Sequence, residues 1–272
     1  MALENVTEPA RAPASISLKN VYKSFRKGRD QVLKGVTLEF PAGELTYILG
    51  SSGAGKSVTL KHILGLLQPD SGEVWVAGKN MTELEGDELS DHRRVFGMLF
   101  QNAALFDGMT VYENVAFPLH EHTQLPEEKV FEKVSQALTI LGMPPGPSSA
   151  YDKYPSELSG GMRKRVGLAR AIIQEPSILL YDEPTTGLDP VTRNTVDELI
   201  ETLKTKLKLT SIVISHDIPS ALRLADHIAF LHQGEIVFWG TPKEFRKSAH
   251  PAIQNFLQAE MKSYEVMQHA GA

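Results

Sequence analysis

The rhythm of apolar and polar positions divides the chain into three stretches. Over residues 16–40 apolar side chains alternate with polar ones, Val36, Leu38 and Phe40 against Thr37 and Glu39, which is the two-residue period of half-buried strands. The polar, glycine-containing residues 27–30 predict a hairpin inside that stretch. A short apolar run over residues 46–49 closes on Gly50. A helix-like pattern follows over about residues 56–67, and residues 73–76 read as one more strand.

The middle has a different period. Val130, Phe131, Val134, Ala137, Leu138 and Leu141 recur at helical spacing and predict one apolar helix face. Pro126 with Glu127 and Glu128 starts that helix, and Gly142 with Pro144 and Pro145 ends it. These signals mark a mostly helical insert over roughly residues 101–154. After it, continuous apolar runs at residues 178–181, 212–214 and 228–231 predict parallel strands covered on both faces, with long helices between them. Asp189 before Pro190 predicts a capped helix start. Near the end, Ile253, Phe256, Leu257 and Tyr264 lie close to one helical stripe. Such a stripe packs on its own domain or on a partner subunit, and the pattern leaves both open.

Composition narrows the class. The 272 residues are 42% hydrophobic and 22% charged, enough apolar material for a sizeable core. Twenty-eight basic against thirty-three acidic side chains leave a net charge of −5. That balance argues against nucleic acid as the main partner, because phosphate binding wants a basic excess. With no cysteine, disulfides, thiol catalysis and cysteine-ligated metal are excluded. No apolar run approaches the roughly 20 residues of a membrane-spanning helix. The first 14 residues carry Glu4 and Glu8 and do not read as a secretory signal. The expectation is a soluble cytoplasmic chain with a loose tail over residues 1–14.

Chemistry enters with the residues after the first buried run. Gly50, Ser51, Ser52, Gly53, Ala54, Gly55, Lys56 and Ser57 fit the pattern G-x-x-x-x-G-K-[ST] between a strand and a helix. Glycines at that spacing let backbone N–H groups turn inward around phosphate oxygens, and the helix N-terminus adds positive potential. Lys56 would reach the β- and γ-phosphates, and the Ser57 hydroxyl would ligate Mg²⁺. The run over residues 178–181 ends in Asp182 and Glu183. Carboxylates at the end of a buried strand sit where open α/β sheets bind ligands. Asp182 would hold Mg²⁺, and Glu183 is the candidate general base that polarises an attacking water. Further on, Leu158, Ser159, Gly160, Gly161 and Met162 open a helix. A Ser hydroxyl with bare glycine amides at a helix N-terminus is a second anion site.

With these three motifs the sequence resembles the ATP-binding cassette (ABC) ATPases, over nearly its whole length. The family's signature reads L-S-G-G-Q, so Met162 departs at its fifth position. The resemblance implies an α/β P-loop NTPase of the ABC ATPase fold. Such a fold has a mostly parallel core sheet, an N-terminal antiparallel β subdomain and an α-helical subdomain. The cassette is expected over residues 15–250, its helical part at about 101–165, with a C-terminal helical extension over 251–272. The resemblance also assigns roles one by one. Phe25 would stack on adenine, with a place in the core as the rival reading. Gln101, after residues 96–100, would contact Mg²⁺ or the water. Asp189, after Gly187 and Leu188, would cross between subunits. His216 would approach the γ-phosphate. ATP would be sandwiched in a head-to-tail homodimer, the phosphate loop of one chain facing the signature loop of the other.

Residues 101–119 lie where family members receive a short coupling helix of the membrane subunit. Leu105, Phe106 and Met109 beside Gln101 would offer it an apolar groove, or else pack inside the insert. That segment, residues 121–126 and the Met162-containing signature resemble the ATPases of the Mla phospholipid transporters, which work with Mce-domain proteins. This implies an integral membrane permease, a periplasmic lipid-binding Mce-domain protein and a small STAS-domain partner. It also implies a place on the cytoplasmic face of the bacterial inner membrane, and glycerophospholipid moving between inner and outer membranes. The alternatives are the ATPase of another ABC transporter, a soluble ABC ATPase without a permease, and a scaffold that only binds nucleotide. Lys56, Asp182, Glu183 and His216 argue against the scaffold.

Overall fold

A computed structural model describes residues 14–26, 28–146 and 149–259. In chain order its elements are β1 (Ile16–Phe25), β2 (Asp30–Phe40), β3 (Leu45–Leu49), α1 (Lys56–Ile63), β4 (Ser71–Val76), β5 (Lys79–Asn80) and α2 (Gly86–His92). Then come β6 (Phe96–Leu99), α3 (Val111–His122), α4 (Glu127–Ile140), α5 (Gly160–Ile172), β7 (Ile178–Asp182) and α6 (Pro190–Leu207). The chain finishes with β8 (Thr210–Ser215), α7 (Ile218–Leu224), β9 (His227–His232), β10 (Glu235–Gly240) and α8 (Pro242–Lys247), after which residues 251–259 are helical. The elements fall into two compact units. One runs from Ser90 to Ser211; the other joins Ser15–Leu89 to the chain from Ile212 onward.

The second unit holds an antiparallel sheet in the order β2-β1-β4-β5. The alternation read from residues 16–40 is met there: Ile16, Leu18, Val36, Leu38 and Phe40 are buried. Between Leu18 and Val21 the register shifts, and Asn20 takes φ 50 with its N–H donated to the Thr37 hydroxyl at 3.0 Å. The extra residue is a bulge that returns Val21 to the buried face. A second sheet in this unit runs β10-β9-β3-β8, with β3 parallel to β9 and β10 antiparallel to it. Every residue of β3 and β8 is buried, as a strand covered on both faces requires.

Helix α1 is shorter than its pattern predicts. It stops at Ile63 because Gly65 turns to φ 64, and the N–H groups of Gly65 and Leu66 close on the carbonyls of His62 and Lys61. Leu66 is left 60% exposed. The C-terminal stripe packs on its own unit. Ile253 and Leu257 are buried and the Phe256 ring lies 5.0 Å from that of Phe230, while Tyr264 and the 1–13 tail lie outside the described residues.

Helix α1 also buries His62. Its Nδ1–H donates to the Val58 carbonyl at 2.7 Å, and Nε2 is buried with no hydrogen-bond partner among the described residues. Burial, with the Lys23 ammonium adding to it against Asp70 and the carbonyls of Val58 and Gln68, holds the imidazole below its ordinary pKa. The unfolded chain protonates His62 near pH 6.5, whereas the folded chain does so only lower. This contribution to stability is therefore present above about pH 6.5 and is lost as pH falls below it. The expected result is a melting temperature that drops between pH 7 and pH 5, with a shallower slope in His62→Leu. Equal slopes in the two proteins would refute it.

In the first unit β6 and β7 pair in parallel, from Phe96 against Ile178 to Leu99 against Tyr181. Helices α3, α4 and α5 pack together. On α4 the face is Val130, Val134, Ala137 and Leu138, each removed from water and worth about 1.5–3 kcal/mol for the larger side chains. Phe131, read with that face, instead sits at its edge, 48% exposed, its ring beside those of Tyr112 and Tyr151. Among the described residues no helix is long and apolar enough to cross a membrane.

Candidate active site

In the second unit β3 delivers the chain to Gly50, and residues 50–55 form a loop in which Gly50, Gly53 and Gly55 all have positive φ. A Cβ on Gly50 would run into the Leu231 carbonyl oxygen, so this turn is open only to glycine. Gly55 caps α1 without any side-chain hydrogen bond, so no side chain covers the start of the helix there. Lys56 is 7% exposed, and its Nζ donates to the carbonyls of Gly50 at 2.6 Å and Ser51 at 3.2 Å. The ammonium thus lies in the hollow of the loop. Ser57 and the serines of the loop are exposed. A glycine-rich loop ahead of a helix N-terminus, with one buried cation in its hollow, fits an oligophosphate.

Two further predicted residues belong to this unit. Phe25 ends β1, 38% exposed, with Lys23 Nζ 5.8 Å from its ring centre, so it is not a core aromatic. His216 follows β8, the strand beside β3, and the next residue, Asp217, caps α7 through the Ser220 N–H.

The first unit carries the acidic strand end and the signature loop. Four buried residues of β7 lead to half-buried Asp182. Glu183 follows at φ 47, a left-handed conformation that costs a non-glycine residue about 1 kcal/mol and is over-represented at working sites. The Thr186 hydroxyl donates to its Oε2 at 2.8 Å, fixing the carboxylate. Asp189 caps α6 by accepting from the N–H groups of Val191 and Thr192 and the Thr192 hydroxyl, and these bonds, the hydroxyl first, hold its carboxyl below the usual range.

Ser159 caps α5, its Oγ accepting from the Met162 N–H at 3.3 Å. Around Gly160 and Gly161 there is space. Among the described residues, a Cβ on Gly161 would meet nothing within 4 Å, and one on Gly160 only the end of Arg163 at 3.9 Å. Packing within the unit does not require these glycines.

Gln101 is exposed, just after β6, and its carbonyl accepts from Lys164 of α5. Lys164 is 5% exposed, and burial pushes its ammonium down to about 8. Sequence reasoning missed Lys164. The available signal was position: it sits among the apolar-facing residues of α5, with Gly167 and Leu168, inside a run of basic residues that reads as solvated. Asn114, fully buried, was missed too. Its Oδ1 accepts from the Phe106 N–H and its Nδ2 donates to the carbonyls of Phe106, Met109 and Thr110.

A cavity of about 330 Å³ opens beside this loop, lined among others by Phe96, Met98, Phe100, Phe106, Phe117 and Arg170. Of the three residues expected to form a groove, Phe106 does so, its ring 4.9 Å from Phe117. Leu105 and Met109 are half-buried and do not line it, because Asn114 turns their segment back onto α3.

The ABC transporter family model matches residues 33–186, over half of the chain. The chain is 39% identical over 243 residues to the "Probable ribonucleotide transport ATP-binding protein mkl" of Mycobacterium leprae, covering 89% of this chain and 68% of that protein. It is 39% identical over 234 residues to the intermembrane phospholipid transport system ATP-binding protein MlaF of Escherichia coli K12, covering 86% of each. Among solved structures, the dimeric post-hydrolysis state of the ATP-binding cassette MJ0796 with ADP and Pi superposes with TM-score 0.72 at 32% identity, covering 84% of this chain and 98% of that one.

Proposed function

This chain belongs to the ABC transporter family and is an ATPase, and on that premise we propose that it drives phospholipid traffic between the inner and outer membranes, maintaining outer-membrane lipid asymmetry. It works as a homodimer on the cytoplasmic face of the inner membrane, bound to a permease, with a periplasmic Mce-domain protein and a small STAS-domain protein as further partners.

Each residue has a task in that reading. The amides of residues 50–57 and the Lys56 ammonium bind the β- and γ-phosphates, and Phe25 supports the adenine. Ser57, Asp182 and Gln101 offer hard oxygen donors suited to Mg²⁺. When bound, that ion neutralises phosphate charge in the transition state. Glu183 takes a proton from the attacking water, His216 approaches the γ-phosphate, and Asp189 reaches across to the other chain. The Ser159, Gly160 and Gly161 tip of one chain closes over the nucleotide held by its partner. Binding draws the dimer together and hydrolysis releases it.

One observation carries the reading: behind a serine cap, two glycines with open Cβ positions stand at the N-terminus of a 13-residue helix, where packing within the unit does not call for glycine. An anion brought by a second copy uses them. The apolar cavity beside Gln101 fits a short helix of a membrane partner. Phospholipid as cargo is supported by the 39% identity to MlaF, an intermembrane phospholipid transport ATP-binding protein.

Capture of the tagged chain from detergent-solubilised membranes tests this. The expected result is co-recovery of an integral membrane permease with an Mce-domain and a STAS-domain protein, lost in Phe106→Glu. Recovery of no integral membrane protein by the unmodified chain would overturn the transporter reading.

A further inference from the structure

The loop of residues 101–104 is gripped by one face of α5. Lys164, Gly167 and Arg170 are spaced three apart, so they share that face. Lys164 Nζ donates to the Gln101 carbonyl. Arg170 Nη2 donates to the carbonyls of Ala103 at 2.8 Å and Ala104 at 2.7 Å. Between the two cations, Gly167 lets the loop come close: a Cβ there would sit 3.0 Å from the Ala103 Cβ and from Leu99 Cδ1. The loop needs this grip, because Ala103 and Ala104 hold φ 59 and 47, a region that alanine leaves when nothing forces it there. Beyond residue 105 the hold passes to Asn114 of α3.

A buried ammonium aimed at a main-chain carbonyl is a costly way to fill space, and an apolar side chain of similar length would fill it more cheaply. What the lysine adds is direction, since it fixes one particular carbonyl relative to α5. That carbonyl belongs to Gln101, and α5 begins at the Ser159 tip one turn away.

We propose that Lys164 is a positioning residue for hydrolysis: its bond to the Gln101 carbonyl yokes the Gln101 loop to α5, so that the Gln101 amide and the Ser159 tip keep one fixed relation. Lys164 touches no substrate and acts through Gln101, and the catalytic part of the proposal rests on the role given to Gln101 above. A partner seated in the cavity beside Phe100 and Phe106 then moves loop and signature tip together.

The test uses the full-length protein with Lys164→Met, Lys164→Arg, Gln101→Ala and the double variant Gln101→Ala/Lys164→Met. Hydrogen exchange without nucleotide reads the yoke directly. The expected result is at least tenfold faster exchange of amides in residues 100–104 in Lys164→Met, with α5 unchanged. Steady-state kinetics read the consequence: kcat falls at least fivefold while KM for ATP stays within twofold. Lys164→Arg restores both. On the Gln101→Ala background, Lys164→Met lowers kcat no further. Unchanged exchange in Lys164→Met overturns the yoke. A kcat loss as large with Gln101→Ala as without it overturns action through Gln101. Full activity of Gln101→Ala alone would remove the role of Gln101, while the exchange measurement still decides whether Lys164 holds the loop.

Discussion

Glu183→Gln is expected to bind ATP as well as the unmodified chain does and to turn it over at least a hundredfold more slowly. The substitution is nearly isosteric. The amide oxygen of glutamine still accepts from the Thr186 hydroxyl, so the strained turn at φ 47 and the neighbouring Asp182 stay where they are. What disappears is the basic oxygen proposed to take a proton from water, and a positioned general base contributes about 10²–10⁴-fold. The loss falls on kcat and spares binding. Because unspent nucleotide holds the two copies together, the same variant is expected to elute as a dimer of the 30.0 kDa chain in ATP and as a monomer after chelation of Mg²⁺ and removal of nucleotide. Turnover close to that of the unmodified chain would show that the base lies elsewhere.

Gly161→Asp separates folding from function in the opposite way. Nothing lies within 4 Å of the new Cβ, and the position is in the first turn of α5. A carboxylate there interacts favourably with the helix dipole, by about 0.3–1 kcal/mol at an exposed site. The variant should melt no lower than the parent. Its charge, however, would stand where the proposed arrangement brings the γ-phosphate held by the partner. The expected result is that ATP still enters the phosphate loop around Lys56, the dimer does not close, and hydrolysis falls at least a hundredfold. Calorimetry and a phosphate-release assay on one preparation check both halves. A stable variant with normal hydrolysis would refute the sandwiched arrangement.

Much of this was readable from residues alone, for local reasons. Strand β3, the turn at Gly50 and the helix from Lys56 follow one another within twenty residues, and each is coded by its own neighbours. The acidic end of β7 is legible for the same reason. Other features depend on distant parts of the chain. Lys164 reads as a surface residue of a basic run until the loop at Gln101 is packed over it. Phe131 fits the helical period yet lands at the margin, because Tyr112 and Tyr151 come in from elsewhere to share its ring. Strand β6, four residues long and carrying Gly97, has too little pattern to announce itself. Strand β10 is a different case. Gln233 and Gly234 both take positive φ in a tight hairpin turn, and that pair was in plain view.

Two pairs of glycines described above have different fates under random substitution. At Gly50 a side chain collides with a backbone oxygen and at Gly167 it crowds Ala103 and Leu99, so libraries sorted for soluble expression and libraries sorted for growth both disfavour replacements. At Gly160 and Gly161 only the second kind of sorting notices. Stability-guided redesign would therefore fill those two positions first, and produce a well-behaved chain that no longer runs.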